Sequence, residues 1–155
     1  MKNRIVIWSV VVIAVACTSN DKNAGVDKEK QKKDSILAAQ NAKVMADTAN
    51  FTTIEWYDSA FHDLGKVKEG ETVEVAFRFK NTGSKPLVIT SVSASCGCTI
   101  PEKPEKPFAP GEEGVIKAKF DSNGKSGMNT KTVYVNANTT PTTNHQLNFQ
   151  VEVIK

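Results

Sequence analysis

The segment Val73-Glu74-Val75-Ala76-Phe77-Arg78-Phe79-Lys80 alternates apolar and mostly polar residues without a break. Period two puts Val73, Val75, Phe77 and Phe79 on one face and turns Glu74, Arg78 and Lys80 to water, the signature of a half-buried strand. The same alternation returns in Ile116-Lys117-Ala118-Lys119-Phe120, in Val133-Tyr134-Val135-Asn136-Ala137 and in Leu147 to Ile154. Turn-forming stretches separate these runs: Glu69-Gly70, Asn81 to Pro86, Pro110-Gly111, Asn123-Gly124 and Asn138 to Thr143. Several short strands at this spacing, with no helical periodicity between them, predict an all-β, two-sheet sandwich over residues 51–155. About 105 residues is ample for one hydrophobic core.

Charge excludes one function class. The chain has 155 residues and a formal net charge of +3. Residues 51–155 carry twelve positive and twelve negative side chains, so the folded part has no basic excess to attract phosphate backbones. Nucleic-acid binding is not expected.

The N-terminus reads as an address. Met1-Lys2-Asn3-Arg4 is basic, and Ile5 to Ala16 is apolar apart from Ser9. That run is too short to cross ~30 Å of hydrocarbon as a helix, and fits a signal peptide over residues 1–16. Ala14-Val15-Ala16-Cys17 resembles the bacterial lipoprotein cleavage box, with Ala14 where Leu is preferred. The resemblance implies cleavage before Cys17 and acyl chains on that residue, palmitate among them. The alternative is ordinary cleavage that leaves Cys17 a free thiol. Thr18 rather than Asp after the cysteine points to the outer membrane of a Gram-negative envelope, with the domain in the periplasm or at the cell surface.

Residues 17–50 then form a polar tether. Few large apolar residues leave it unable to fold alone. Asp27 to Ala46 has helix propensity, but Ile36, Leu37, Val44 and Met45 make only a thin stripe, so a partly helical, flexible, undocked spacer is expected. Asp34-Ser35-Ile36, Asp47-Thr48-Ala49 and Asp58-Ser59-Ala60 resemble an O-glycosylation acceptor pattern of some Gram-negative envelopes, which would mark Ser35 and Thr48 in the tether.

Three cysteines is an odd count, resolved if Cys17 is used separately and Cys96 and Cys98 form a pair. Three chemistries fit Ser95-Cys96-Gly97-Cys98-Thr99. A disulfide needs Cα atoms about 4.4–6.8 Å apart, so the chain must bend, which Gly97 permits. A ring closed over one residue is readily reduced, which would make it either a redox site or simply an oxidised turn in an oxidising compartment. Two thiolates also suit a soft ion, Cu(I) best, with Met128 as a further ligand. A structural zinc would need four ligands, and His62 and His145 have no ligand spacing to the pair. The third reading is a tight bend with small packed side chains.

Other patterns dissolve on inspection. Gly124-Lys125-Ser126 lacks the upstream glycine of a phosphate loop, and a strand follows it where a helix is needed. Asp121-x-Asn123-Gly124 has its glycine misplaced for a calcium loop and reads as a hairpin loop. Pro101, Pro104, Pro107 and Pro110 recur every three residues, the period of polyproline II. A ladder inside the domain reads as a stiff strap crossing between the sheets. No triad, phosphate cradle or paired carboxylates appear, and no enzyme is expected.

Read together, Phe79-Lys80-Asn81-Thr82-Gly83-x-x-Pro86-Leu87-x-Ile89, Ser95-Cys96-Gly97-Cys98-Thr99-x-Pro101 and Pro110-Gly111-Glu112-x-Gly114 resemble a large bacterial family known only as a domain of unknown function. His62-Asp63-Leu64-Gly65 is similar to its opening strand, with Leu64 where Phe is usual. The resemblance covers residues 53–153. It implies an Ig-like sandwich of the kind shared with major-sperm-protein-like and hydin-like domains, common in envelope lipoproteins. It implies no settled activity. The expectation is therefore a membrane-anchored, non-enzymatic domain that binds an envelope protein. The alternative is a thiol-redox or Cu(I)-binding protein acting through Cys96 and Cys98.

Overall fold

A computed structural model describes residues 24–57 and 61–155. The signal peptide, Cys17 and Ser59 lie outside the described residues. The first element is α1 (Ala24–Ala46), followed by a single 3-10 turn at Thr48–Asn50. Eight strands follow: β1 (Ile54–Trp56), β2 (Phe61–Lys68), β3 (Thr72–Asn81), β4 (Ile89–Ala94), β5 (Thr99–Glu102), β6 (Glu113–Asp121), β7 (Gly127–Ala137) and β8 (Asn144–Ile154). They form two four-stranded sheets, ordered β1-β3-β6-β5 and β2-β8-β7-β4. All pairings are antiparallel except β2 with β8, which run parallel.

The alternation produces the core directly. Val75, Phe77 and Phe79 on β3 and Ile116, Ala118 and Phe120 on β6 face Val133 and Val135 on β7 and Leu147, Phe149 and Val151 on β8, all buried. Phe120 and Phe149 meet edge to face across the sheets, ring centres 6.0 Å apart. Burying such a side chain contributes about 1.5–3 kcal/mol, so these few rings carry much of the cohesion.

Two connections differ from the sequence reading. The proline segment does not cross between sheets, because β5 and β6 are neighbours in one sheet. It is a long loop within that sheet, tacked down where Leu87 and Phe108 exchange backbone hydrogen bonds of 2.9 Å. Nor is Asp121 to Gly124 a hairpin loop, since β6 and β7 lie in different sheets. The crossover between sheets that the prolines were expected to make is made by the Cys-Gly-Cys turn, from β4 to β5.

The tether also differs. The compact unit that holds the sandwich begins at Leu37, not at Phe51. Asn41 on α1 donates from Nδ2 to the carbonyl of Thr90 on β4 at 3.0 Å, and Val44 and Met45 are half-buried. The last turns of α1 are therefore docked. Ile36 and Leu37, the other half of the stripe, stay exposed.

Candidate functional site

The Cys-Gly-Cys turn is placed by the ends of its two strands. Ser95 N donates to Thr132 O at 2.9 Å, and Thr132 N donates to Ser95 Oγ at 3.2 Å, which fixes the exit from β4. Thr99 N reaches Cys96 O at 3.3 Å and Asp121 N reaches Cys98 O at 2.9 Å, which fixes the entry to β5. Between these anchors the Cα atoms of Cys96 and Cys98 lie 5.4 Å apart, with the sulfurs at disulfide distance. Gly97 is exposed, and a Cβ there would meet nothing within 4 Å. Both cysteines are half-buried, and Cys98 packs against the core. Thr99 Oγ1 sits 3.7 Å from Cys96 Sγ. Sulfurs bonded to each other offer no thiolate to a metal, so the Cu(I) reading belongs to a reduced pair. Among the described residues no three His, Cys, Asp or Glu side chains gather as metal ligands.

The other motif residues hold the fold. Buried Asn81 accepts from Thr52 Oγ1 (2.8 Å) and Gly83 N (3.2 Å) at Oδ1, and donates from Nδ2 to Lys85 O (2.8 Å) and Phe108 O (3.0 Å). Its amide thereby ties its own turn, residues 81–85, to the segments at Thr52 and Phe108. Gly83 has no room for a side chain: a Cβ would fall on Thr52 Oγ1 and within 2.7 Å of Thr53 N. At Gly114 a Cβ would strike Phe79 and Phe108. Asn138, not singled out by the sequence, does similar work. It accepts from Val88 N at 2.7 Å and donates to Asn50 O at 2.9 Å and Pro86 O at 3.0 Å. Asn138 also lines a groove of about 380 Å³ beside Val44, Asp47, Pro86 and Val88.

The two histidines are apart and face inward. His62 packs at a tilt on Phe77, ring centres 4.7 Å apart, and its buried Nε2 has no hydrogen-bond partner among the described residues. His145 accepts from Trp56 Nε1 at Nδ1 (3.4 Å) and pairs through Nε2 with Thr139 Oγ1 at 2.8 Å. Thr139 Oγ1 donates to Thr142 O, so it accepts from Nε2–H, and the ring is the neutral Nε2–H tautomer. Burial holds its pKa below the ordinary 6.5. Met128 is exposed on β7. Ser35 is exposed, its hydroxyl donating to Lys32 O at 2.9 Å, and Thr48 is exposed in the 3-10 turn.

The outer faces of the two sheets differ in chemistry. On β1-β3-β6-β5 ions dominate, with Lys117 to Glu74 at 3.2 Å and Lys119 to Glu102 at 3.0 Å. On β2-β8-β7-β4, Ser93, Tyr134 and Gln146 stand in one cross-strand row, and Thr132, Asn148 and Phe61 in the next. Asn136 donates to Ser91 Oγ at 2.9 Å and accepts from Asn144 at 3.0 Å, and Thr132 donates to Asn148 at 2.7 Å. This part of the face is uncharged amide and hydroxyl around Tyr134 and Phe61. Pattern reading missed it, because no one strand carries it.

Comparison with known proteins adds the fold relationship. A family profile described as "Protein of unknown function (DUF1573)" matches residues 54–153. No curated protein matches the chain. A Porphyromonas gingivalis W83 protein of unknown function is similar in structure, with TM-score 0.59 and 19% identity over 68% of this chain and 48% of that one. The chain thus spans about half that protein's length. The ASH/PapD-like domain 7 of human CEP192 is similar at TM-score 0.51 and 14% identity, over 67% of this chain and 85% of that one. These likenesses show an Ig-like, PapD-like sandwich fold.

Proposed function

The chain belongs to the DUF1573 family of unknown function, and on that premise we propose that it is a lipid-anchored protein of a Gram-negative envelope whose sandwich is a non-enzymatic protein-interaction domain. The observation that carries the interaction reading is the uncharged outer face around Tyr134. Tyr beside Ser and Asn is the mixture that antibody-type binding surfaces use. Tyr gives rigid contact area at low entropic cost, and the small polar groups give adaptable hydrogen bonds. The opposite face, laced with exposed ion pairs, is already solvated and gains little from a partner. The commitment of Asn81, Gly83 and Gly114 to architecture supports reading these residues as scaffold rather than as a reaction centre.

The anchor reading rests on the basic start, the short apolar run and Ala14-Val15-Ala16-Cys17. It places the domain on the periplasmic or outer side of the outer membrane, with Ser35 and Thr48 as exposed hydroxyls for O-glycans. Fatty-acid labelling of the native protein, lost in Cys17→Ser, tests the anchor. Intact mass tests the glycans, and a mass equal to the unmodified lipoprotein removes them.

The interaction reading is tested by a photo-crosslinking residue at position 134, with position 78 on the other face as control. One envelope protein is expected to couple reproducibly at 134 and not at 78. Its loss in a Gln146→Arg variant of the same protein would tie the contact to this face. Equal crosslinking at both positions would sink the assignment.

A further inference from the structure

A disulfide that spans one residue needs a reason other than stability. The chain entropy that a cross-link removes from the unfolded state grows with the loop it closes. The Cys96–Cys98 bond closes the shortest loop in question, over Gly97 alone. The turn is moreover already held from both sides by hydrogen bonds at Ser95, Thr99, Thr132 and Asp121. Opening the bond removes none of these. It also buries no new group, because Gly97 is exposed and clear of neighbours.

From this we propose that, beside the interaction role, Cys96 and Cys98 are a stoichiometric thiol–disulfide exchange site whose partner class is a dithiol. The exchange balances as follows. A thiolate of the incoming dithiol attacks Cys98 Sγ, the Cys96–Cys98 bond breaks, and a mixed disulfide to Cys98 forms while Cys96 leaves as thiolate. The second thiol of the substrate, giving its proton to solvent, attacks its own sulfur in the mixed disulfide and releases Cys98 as thiolate. Both chain thiolates then take protons. The dithiol loses two electrons and two protons and becomes a disulfide, and Cys96 and Cys98 become thiols.

The surroundings of the two sulfurs set the order. Thr99 Oγ1, 3.7 Å from Cys96 Sγ, can turn its hydroxyl proton toward a thiolate there. Cys98 packs on the apolar core, where a thiolate is poorly solvated. Cys96 is therefore the better first leaving group and Cys98 the attacked sulfur. A one-residue ring favours opening, as is general for disulfides that are easily reduced.

The test uses the full chain with Cys17→Ser, so that only the pair titrates. It is equilibrated in buffers of reduced and oxidised dithiothreitol, quenched by alkylation and weighed. The expected result is half-reduction at a reduced-to-oxidised ratio of about 1 to 100 or below, with an unchanged circular dichroism spectrum. A ratio near or above 1, unfolding on reduction, or thiols that never oxidise would each overturn the proposal. Two controls keep it falsifiable. The Cys96→Ser, Cys98→Ser variant is expected to keep its unfolding constant within about tenfold, and a larger loss would assign the bond to stability. When the oxidised protein is exposed briefly to a monothiol, acid-quenched and mapped by fragment mass, the mixed disulfide is expected on Cys98. A mixed disulfide found on Cys96 alone would reverse the proposed order and overturn it.

Discussion

Asn81 ends β3 in the core with every polar atom of its amide engaged. Asn81→Ala would leave the carbonyls of Lys85 and Phe108 and the hydroxyl of Thr52 without that partner, at a side chain that is itself fully buried. Each such group costs about 1–3 kcal/mol, shared here with partial relaxation, so a loss of about 3 kcal/mol is expected. Urea unfolding at constant slope measures it, and a loss below about 1 kcal/mol would contradict the network's role. His145 gives the second prediction at this scale. Its pKa is lowered by burial, whereas in the unfolded chain it titrates near 6.5. Below pH 6.5 the unfolded state binds a proton that the folded state refuses, so stability falls as pH drops from 7.5 to 5.5. Protonation would also turn an N–H at Nδ1 against Trp56 Nε1–H. The urea midpoint is expected to drop over that range, and the drop to shrink in His145→Gln. How far such sites were legible differs by residue. Asn81-Thr82-Gly83 was readable as a turn, but not as the knot against Thr52, because Thr52 is remote in sequence. Asn138 was readable only as the start of a turn and His145 only as a lone imidazole, since most of their partners are remote in sequence.

Among the elements, β3, β6, β7 and β8 were legible because a period of two is a local property of strands with one buried face. β1 has three residues and β5 four, with Pro101 inside it, too short for alternation to declare itself. Which strands share a sheet is not local either. That is why the proline segment looked like a strap between sheets and Asp121 to Gly124 like a hairpin. The docking of α1 was missed for a related reason. The apolar stripe is thin, and part of what holds the helix is polar, the bond from Asn41 to Thr90 O. Asn41→Ala is therefore expected to speed amide exchange in residues 37–46 while leaving β3 and β6 protected. The cost to global stability should be small, about 1 kcal/mol or less, because Thr90 O is only partly buried and water can take the donor's place. Unchanged exchange in residues 37–46 would show that apolar contacts of Val44 and Met45 suffice.

At the scale of the whole chain, sequence composition divides tether from domain at residue 51, and the contacts divide it at Leu37. The difference has a measurable consequence. A chain beginning at Leu37 keeps Asn41 on Thr90 and Asn50 O under the Asn138 amide. A chain beginning at Phe51 loses both, and uncovers the half-buried surface beneath Val44 and Met45. Composition could not weigh this, because polar helices are rich in the same residues whether they float or dock, and only the receiving surface distinguishes them. The two truncations are expected to separate. Residues 37–155 should match the full chain in urea midpoint, and residues 51–155 should fall short by about 1–3 kcal/mol, the sum of two lost part-buried hydrogen bonds and modest apolar exposure. Equal stability of both pieces would return residues 37–50 to the role of a spacer. A separation of the predicted size would mean that the folded unit starts at Leu37, with the last turns of α1 belonging to the domain that the sandwich builds.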